Sequence, residues 1–354
     1  MQAIQKQSTD VGLKYIANAP VPEIKSTDHV LIKVRAAAIC GTDVDIYRAD
    51  KPLMNRMKNK VPVIIGHEFC GTIEEVGKGV TGLEKGQFVS AEMHLICGQC
   101  YNCRTGNGQW CLNTVVGGID SNGAFADYIV LPARALIQLP EDLPIEVAAY
   151  LDAMGNAVHT VRSADVVGKD VVILGAGPMG IMATALCRLM GARRIYVTDV
   201  HDSLLKIARE EGADGAYNVK DPEQHRELIQ RAKSDPTKRG VDVVFELSGQ
   251  GNAYRDAFDT IRMGGELSLL GLPHSDVPVN FATDVVFKGL TIRGITGRKI
   301  FTTWIEMLAL LQGEFIKTAK RIVTHQFPLA DFEKGFATKL AGEGLKIVLH
   351  PDGN

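Results

Sequence analysis

Val171-Val172-Ile173-Leu174-Gly175-Ala176-Gly177-Pro178-Met179-Gly180 decides how the second half of this chain folds. Four apolar residues, three of them β-branched, read as a strand buried on both faces. The glycine-rich turn after them opens an apolar-periodic helix that runs to about Met190. In that context each glycine has a task. Gly175 permits the tight turn, Gly177 lets a diphosphate approach the backbone, and Gly180 lets the helix pack close to the strand. The N–H groups and the dipole at a helix start favour an anion. Residues 171–187 are also the longest uncharged apolar stretch, but they fall short of the ~20 residues a membrane span needs.

Downstream the alternation continues. Ile195-Tyr196-Val197-Thr198 reads as a strand, 203–211 as a helix stopped by Gly212, and Ala216-Tyr217-Asn218 as another strand. Val241-Asp242-Val243-Val244-Phe245, a helix near 253–262 and Glu266-Leu267-Ser268-Leu269-Leu270 follow. Strands alternating with helices predict a parallel sheet covered on both faces. Asp199 ends the second strand, at the roughly 20-residue spacing after Gly180 that suits a carboxylate accepting from ribose hydroxyls. A 2′-phosphate would meet like charge there, so NAD is expected over NADP. Upstream, Val30-Leu31-Ile32-Lys33-Val34 and Phe125-Ala126-Asp127-Tyr128-Ile129-Val130 have a period near two, predicting an antiparallel β domain with one buried face. Beyond about residue 300 the alternation fades, and the chain is expected to return to the first domain, leaving a cleft between the two.

The 354 residues suit two or three domains, and 45% hydrophobic residues suffice for a core without disulfides. Lys+Arg 39 against Asp+Glu 41 gives a net charge of -2, which argues against nucleic acid or anionic lipid as a general partner. Residues 1–14 are polar with no apolar signal region, so a cytoplasmic protein without disulfides is expected.

The cysteines carry a second signal. Four of the seven fall as Cys97-x2-Cys100-x2-Cys103-x7-Cys111, in a polar segment rich in glycine. Four thiolates satisfy Zn²⁺ in a closed tetrahedron, the reading we favour; an iron–sulfur site is the alternative, although the Cys-Pro ending of a ferredoxin run is missing. Cys40, within Ala38-Ile39-Cys40-Gly41-Thr42-Asp43, and Gly66-His67-Glu68 offer a thiolate, an imidazole and a carboxylate, the donor set of an open zinc site. Spacing alone does not link residue 40 to residue 67.

Taken in order, residues 38–43, Gly66-His67-Glu68, the four-cysteine lobe and GAGPMG resemble the zinc-dependent medium-chain dehydrogenase/reductase family. Leu151-Asp152-Ala153-Met154-Gly155-Asn156-Ala157-Val158-His159-Thr160, Gly294-Ile295-Thr296-Gly297-Arg298 and Thr303-Trp304 resemble its L-threonine 3-dehydrogenase branch. The resemblance implies an α/β fold: a GroES-like, mostly antiparallel β catalytic domain over 1–155 with a zinc lobe at about 94–113, a Rossmann doubly wound domain over 156–298, and a return over 299–354. It assigns Cys40, His67 and Glu68 to catalytic zinc and Cys97, Cys100, Cys103 and Cys111 to structural zinc. Asp152 becomes a nearby exchanging carboxylate, and Thr42 the first step of a proton relay. Against NAD it places Gly175, Gly177, Met179, Gly180, Asp199, Leu270, Gly271, Leu272, Ile295 and Thr296. It further implies a homotetramer acting on a small alcohol, converting L-threonine to 2-amino-3-ketobutyrate.

Three departures bear on the substrate. Asp45 stands where the branch usually has a relay histidine, and a carboxylate with a reference pKa of ~3.9 is a poor proton acceptor unless burial raises it. Leu204 replaces an arginine beside the adenosine ribose. Residues 48–60 lack the branch's tryptophans, and Lys51, Arg56, Lys58 and Lys60 there read as solvated surface or as an anion-attracting segment. A polyol, cyclitol or sugar-acid dehydrogenase of the same mechanism is therefore the nearest alternative. A catalytically silent nucleotide-binding protein and a zinc hydrolase are more remote. His94 and His159 read as packed polar residues, and Trp304 as a core anchor or a substrate wall.

Overall fold

The strand His29–Ala38 organises the first part of the chain. In this computed structural model, which describes residues 1–273 and 275–353, it lies inside a seven-stranded sheet. One flank pairs antiparallel with Phe69–Val76; the other is shared by Tyr128–Pro132 and Lys346–His350, both also antiparallel. Its burial does not alternate. Val30, Leu31 and Ile32 are buried in succession, as are Ala36 to Ile39. The expected single buried face is thus replaced by cover on both. One hydrophobic cluster joins Ile32 to Ile4 and Val63 of a small three-stranded sheet and to Phe332, Phe336 and Ile347 near the C-terminus.

The chain divides into two units. The first comprises Met1–Ala153, Lys299–Trp304 and Ala319–Asn354. Beyond residue 300 two successive helices, Thr302–Leu311 and Phe315–Ile322, interrupt the alternation as expected, but it resumes: Val323–Pro328, the helix Phe332–Leu340 and Lys346–His350 form a parallel β–α–β unit that completes the first sheet. Trp304 is fully buried, and its indole N–H donates to Glu92 Oε2 at 2.9 Å, so it anchors a core.

The second unit is Met154–Arg298 with Ile305–Thr318, so 305–318 sit apart from the rest of the return segment. Its six strands are all parallel, in the spatial order Gly215–Asn218, Arg194–Asp199, Asp170–Leu174, Val241–Glu246, Ile261–Leu269, Thr291–Gly294. Every residue of Asp170–Leu174 is buried, as an apolar run between helix layers must be. The helix expected near 253–262 spans Gly251–Thr260, and β-branched Ile261 already begins the next strand. The order reverses between Asp170–Leu174 and Val241–Glu246, the place where such sheets bind ligands outside the strand ends. Among the described residues no helix is long and apolar enough to cross a membrane.

Candidate active site

Strand register unites residues that sequence spacing leaves apart. The peptide N–H of Ala38 donates to Glu68 O at 2.9 Å, and that of Ile39 to Ile347 O at 2.9 Å. The end of His29–Ala38 is thereby clamped between the start of Phe69–Val76 and the strand Lys346–His350. Cys40 follows at once and caps the helix Gly41–Tyr47, whose Asp43 reaches back to accept from Cys40 N at 2.8 Å. One ligand atom each from Cys40, His67 and Glu68 then lies within 4.8 Å of the others.

The electrostatics of this corner call for a cation. Asp43 Oδ1, His67 Nδ1 and Glu68 Oε1 are buried and have no hydrogen-bond partner among the described residues, a costly state for neutral or charged groups alike. Burial pushes the Asp43 carboxyl up to about 6, although His67, 3.8 Å away, opposes the rise. Burial would lower His67, but Cys40 and Asp43 outweigh it and hold the imidazole well above its ordinary range. Lys346, itself buried, forms an ion pair with Glu68 Oε2. Lys339 lies near enough to feel Lys346 and Cys40, and burial lowers its ammonium to about 8. A thiolate, an imidazole and a carboxylate with orphaned atoms fit an open zinc site.

Thr42 Oγ1 lies 3.9 Å from the Cys40 sulfur, and Asp45 stands one helical turn further along, half-buried. Asp152 is buried, and its charge acts on both His67 and Lys346. Its carboxylate also lies within 4.8 Å of ligand atoms of Glu92 and His94. The buried Glu92 accepts from the His94 peptide N–H at 3.0 Å, and the same oxygen lies 3.1 Å from His94 Nδ1. His159 is spent on a contact of its Nδ1 with Gly297 O at 2.8 Å.

In the lobe, all four cysteine sulfurs lie within 4.8 Å of one another, the Cys100–Cys103 pair at 3.5 Å. That is far beyond a disulfide bond. Four bonds of ~2.3 Å to one ion give edges of about 3.8 Å, so the spacing suits a single zinc better than a multi-atom iron–sulfur cluster. Peptide N–H groups of Gln99 and Cys100 hold the Cys97 thiol down to about 6, whereas burial pushes Cys103 up to about 12. Four sulfurs at this spacing could hold one cation, whose charge would favour their thiolate forms.

The glycine turn belongs wholly to the second unit. Gly175 has φ +102°, and a Cβ at Gly180 would lie 1.8 Å from Gly175 O. A Cβ at Gly177 would meet nothing within 4 Å among the described residues. The fold itself therefore demands glycine at 175 and 180 but not at 177, and the helix Pro178–Leu189 starts there without a side-chain cap. Asp199 fixes the turn: Oδ2 accepts from Ala176 N at 2.7 Å, and Oδ1 from Val200 N at 2.7 Å and His201 N at 3.0 Å. Gly175, Asp199 and Ser248 line a cavity of about 510 Å³. Met179 is half-buried; Leu270 and Gly271 lie between Glu246 and exposed Leu272, while Ile295 is buried and Thr296 exposed. Gly177→Ala is expected to melt within a few degrees of wild type yet weaken NADH at least about tenfold, because its methyl takes ligand space. Gly180→Ala is expected to lose about 3 kcal/mol or more of stability by overpacking. Melting curves and NADH fluorescence titrations check both; equal NADH affinity in Gly177→Ala would count against the cradle.

Comparison with known proteins agrees with this geometry. Residues 26–141 match the alcohol dehydrogenase GroES-like domain and 178–313 the zinc-binding dehydrogenase domain. L-threonine 3-dehydrogenase of Proteus mirabilis is 42% identical over 349 residues, covering 99% of each chain. The chain belongs to the zinc-dependent medium-chain dehydrogenase/reductase family. The L-threonine 3-dehydrogenase of Shewanella frigidimarina is likewise 42% identical over 352 residues, covering 99% of this chain and 100% of its own. Among solved structures, alcohol dehydrogenase TADH from Thermus sp. ATN1 superposes with TM-score 0.86 at 28% identity, covering 99% of both chains. 2R,3R-butanediol dehydrogenase from Bacillus subtilis does so with TM-score 0.84 at 26% identity and the same coverage. The first unit is thus GroES-like and the second a Rossmann domain, as in other family members.

Three residues of this dehydrogenase escaped the sequence reading: Asp43, Lys346 and Glu92. Asp43 sits inside the Cys40 run, and its capping position three residues after Cys40 was a usable signal. Lys346 carried none, because its partner Glu68 is 278 positions away, and the tie of Glu92 to Trp304 spans 212.

Proposed function

We propose that this protein oxidises a secondary alcohol with NAD, and that L-threonine is its substrate, giving 2-amino-3-ketobutyrate and NADH. The convergence of Cys40, His67 and Glu68 on one point carries the reaction class. Full-length similarity to proteins named L-threonine 3-dehydrogenase supports the substrate. Zinc held by these three residues would supply a Lewis acid that makes an alcohol proton easier to lose. Thr42 accepts that proton at its hydroxyl and passes its own onward, with half-buried Asp45 one turn away as the next acceptor. Asp152 adds negative charge that favours a cation beside His67. The turn at 175–180 binds the diphosphate, and Asp199, pinned by three peptide N–H groups, presents negative charge where NADP would carry its extra phosphate. NAD held at this turn would supply the hydride acceptor that an alcohol needs to become a ketone.

Asp45 in place of a relay histidine favours a second reading, a polyol or sugar-acid dehydrogenase, since carboxylates accept from vicinal hydroxyls. A panel of L-threonine, polyols and sugar acids scored by NADH formation decides between them. Threonine is expected to lead; a polyol above threonine transfers the assignment, and inactivity on all removes the enzyme reading. We also propose a cytoplasmic homotetramer. The lobe thiols must stay reduced to hold metal. The Rossmann sheet ends on the open edge Thr291–Gly294, with Ile292 in part and Val286 and Phe287 largely exposed nearby, a face suited to a second copy. Light scattering reads the mass.

A further inference from the structure

Glu246, the last residue of Val241–Glu246, is fully buried at the carboxyl end of the Rossmann sheet. It pairs with Leu174, the residue before the glycine turn, on one side and with Leu269 on the other. Its carboxyl is used lopsidedly. Oε1 accepts from Ser248 N at 2.9 Å, Ser248 Oγ at 2.6 Å and Gly249 N at 2.9 Å, whereas Oε2 is buried and has no hydrogen-bond partner among the described residues. Its backbone carbonyl accepts from Leu270 N at 3.0 Å and Gly271 N at 3.2 Å.

The two loops fastened in this way interlock. A Cβ on Gly271 would fall 2.4 Å from Glu246 Oε2 and 2.3 Å from Gly249 N, and a Cβ on Gly249 would fall 2.5 Å from Leu272 O. The Tyr254 hydroxyl donates to Gly271 O at 2.7 Å and closes the far side. A Cβ on Gly175 would lie 3.0 Å from Ser248 Cβ, so the position of Ser248 bounds the glycine turn directly. Burial pushes the carboxyl up from its ordinary range against the pull of Ser248, so this group is held at a cost that side-chain packing alone would avoid.

We infer that Glu246 is a positioning residue for the dinucleotide: it sets the Ser248–Gly249 turn and the 270–272 loop in the shape that borders the glycine turn. The inference rests on the NAD-dependent reading above. Without the carboxyl, the buried Gly249 N–H loses its acceptor and both loops relax away from the turn.

The test uses full-length protein with its metals: wild type, Glu246→Ala, Glu246→Gln and Ser248→Ala. Glu246→Ala is expected to weaken NADH by about tenfold or more in fluorescence titration, the scale of losing hydrogen bonds to a charged group. Zinc content and the KM for the alcohol at saturating NAD should stay near wild type. Glu246→Gln should restore NADH affinity to within about threefold, because the amide oxygen accepts the same three donors. Amide exchange in 247–250 and 270–272, measured without cofactor, should quicken in the alanine variant and recover in the glutamine one. Should Glu246→Ala not fold, Ser248→Ala, which removes one Oε1 donor, is expected to weaken NADH by a smaller factor. Wild-type affinity in a folded Glu246→Ala, or in Ser248→Ala where that variant alone folds, overturns the inference and leaves the functional reading intact. A wild type that binds no NADH overturns both.

Discussion

Cys40→Ala is expected to fall by about three orders of magnitude or more in alcohol oxidation, the equivalent of several kcal/mol of charge stabilisation. The reason lies in what the thiol does for its neighbours. Buried Asp43, His67 and Glu68 leave three orphaned polar atoms, and a cation bound with the Cys40 thiolate is what would offset their burial. With alanine, an imidazole and one carboxylate already paired to Lys346 remain, a poor site for a divalent ion. Metal content should drop from two to one per chain. NADH affinity should persist, because the glycine turn belongs to a different unit. A variant that keeps two metals and a tenth of wild-type turnover would remove Cys40 from the site.

The second large effect is expected in the lobe. Its segment is a one-turn helix, Tyr101–Arg104, and a short Gly108–Trp110 turn, with Tyr101, Trp110 and Leu112 largely exposed. So little apolar burial cannot fold it alone. Structural zinc in comparable small sites contributes roughly 10–16 kcal/mol of apparent binding energy, which becomes folding energy. Cys103→Ala should therefore lose one metal per chain and unfold the lobe, freeing the backbone at Arg104, already exposed, to enter trypsin and be cleaved rapidly. Unchanged metal content with a protease-resistant lobe would show that backbone contacts suffice.

What could be read from the sequence follows how locally each interaction is encoded. The glycine turn and the four cysteines are written within short windows, where spacing and geometry are nearly the same thing. The convergence of Cys40 on His67 depends on the register between His29–Ala38 and Phe69–Val76, which pairs Ala37 with Phe69. No local period announces such a pairing, so only a family resemblance could join them. The one-face burial expected for the β domain failed for a related reason. Residues that surround this strand come from far apart in the chain, since Ile32 shares one cluster with Ile4 near one end and Phe336 near the other. Trp304 was ambiguous until its indole found Glu92, since a buried tryptophan and a pocket wall look alike in a string of letters.

Cys40, His67 and Glu68 precede Lys346, in the strand Lys346–His350, by 278 positions or more. A nascent or C-terminally clipped polypeptide thus presents every metal-binding atom while the counter-ion of Glu68 is missing. Charge balance at Glu68 waits on a partner 278 positions further along, and a chain cut before Lys346 would leave that carboxylate unpaired beside the metal-binding atoms.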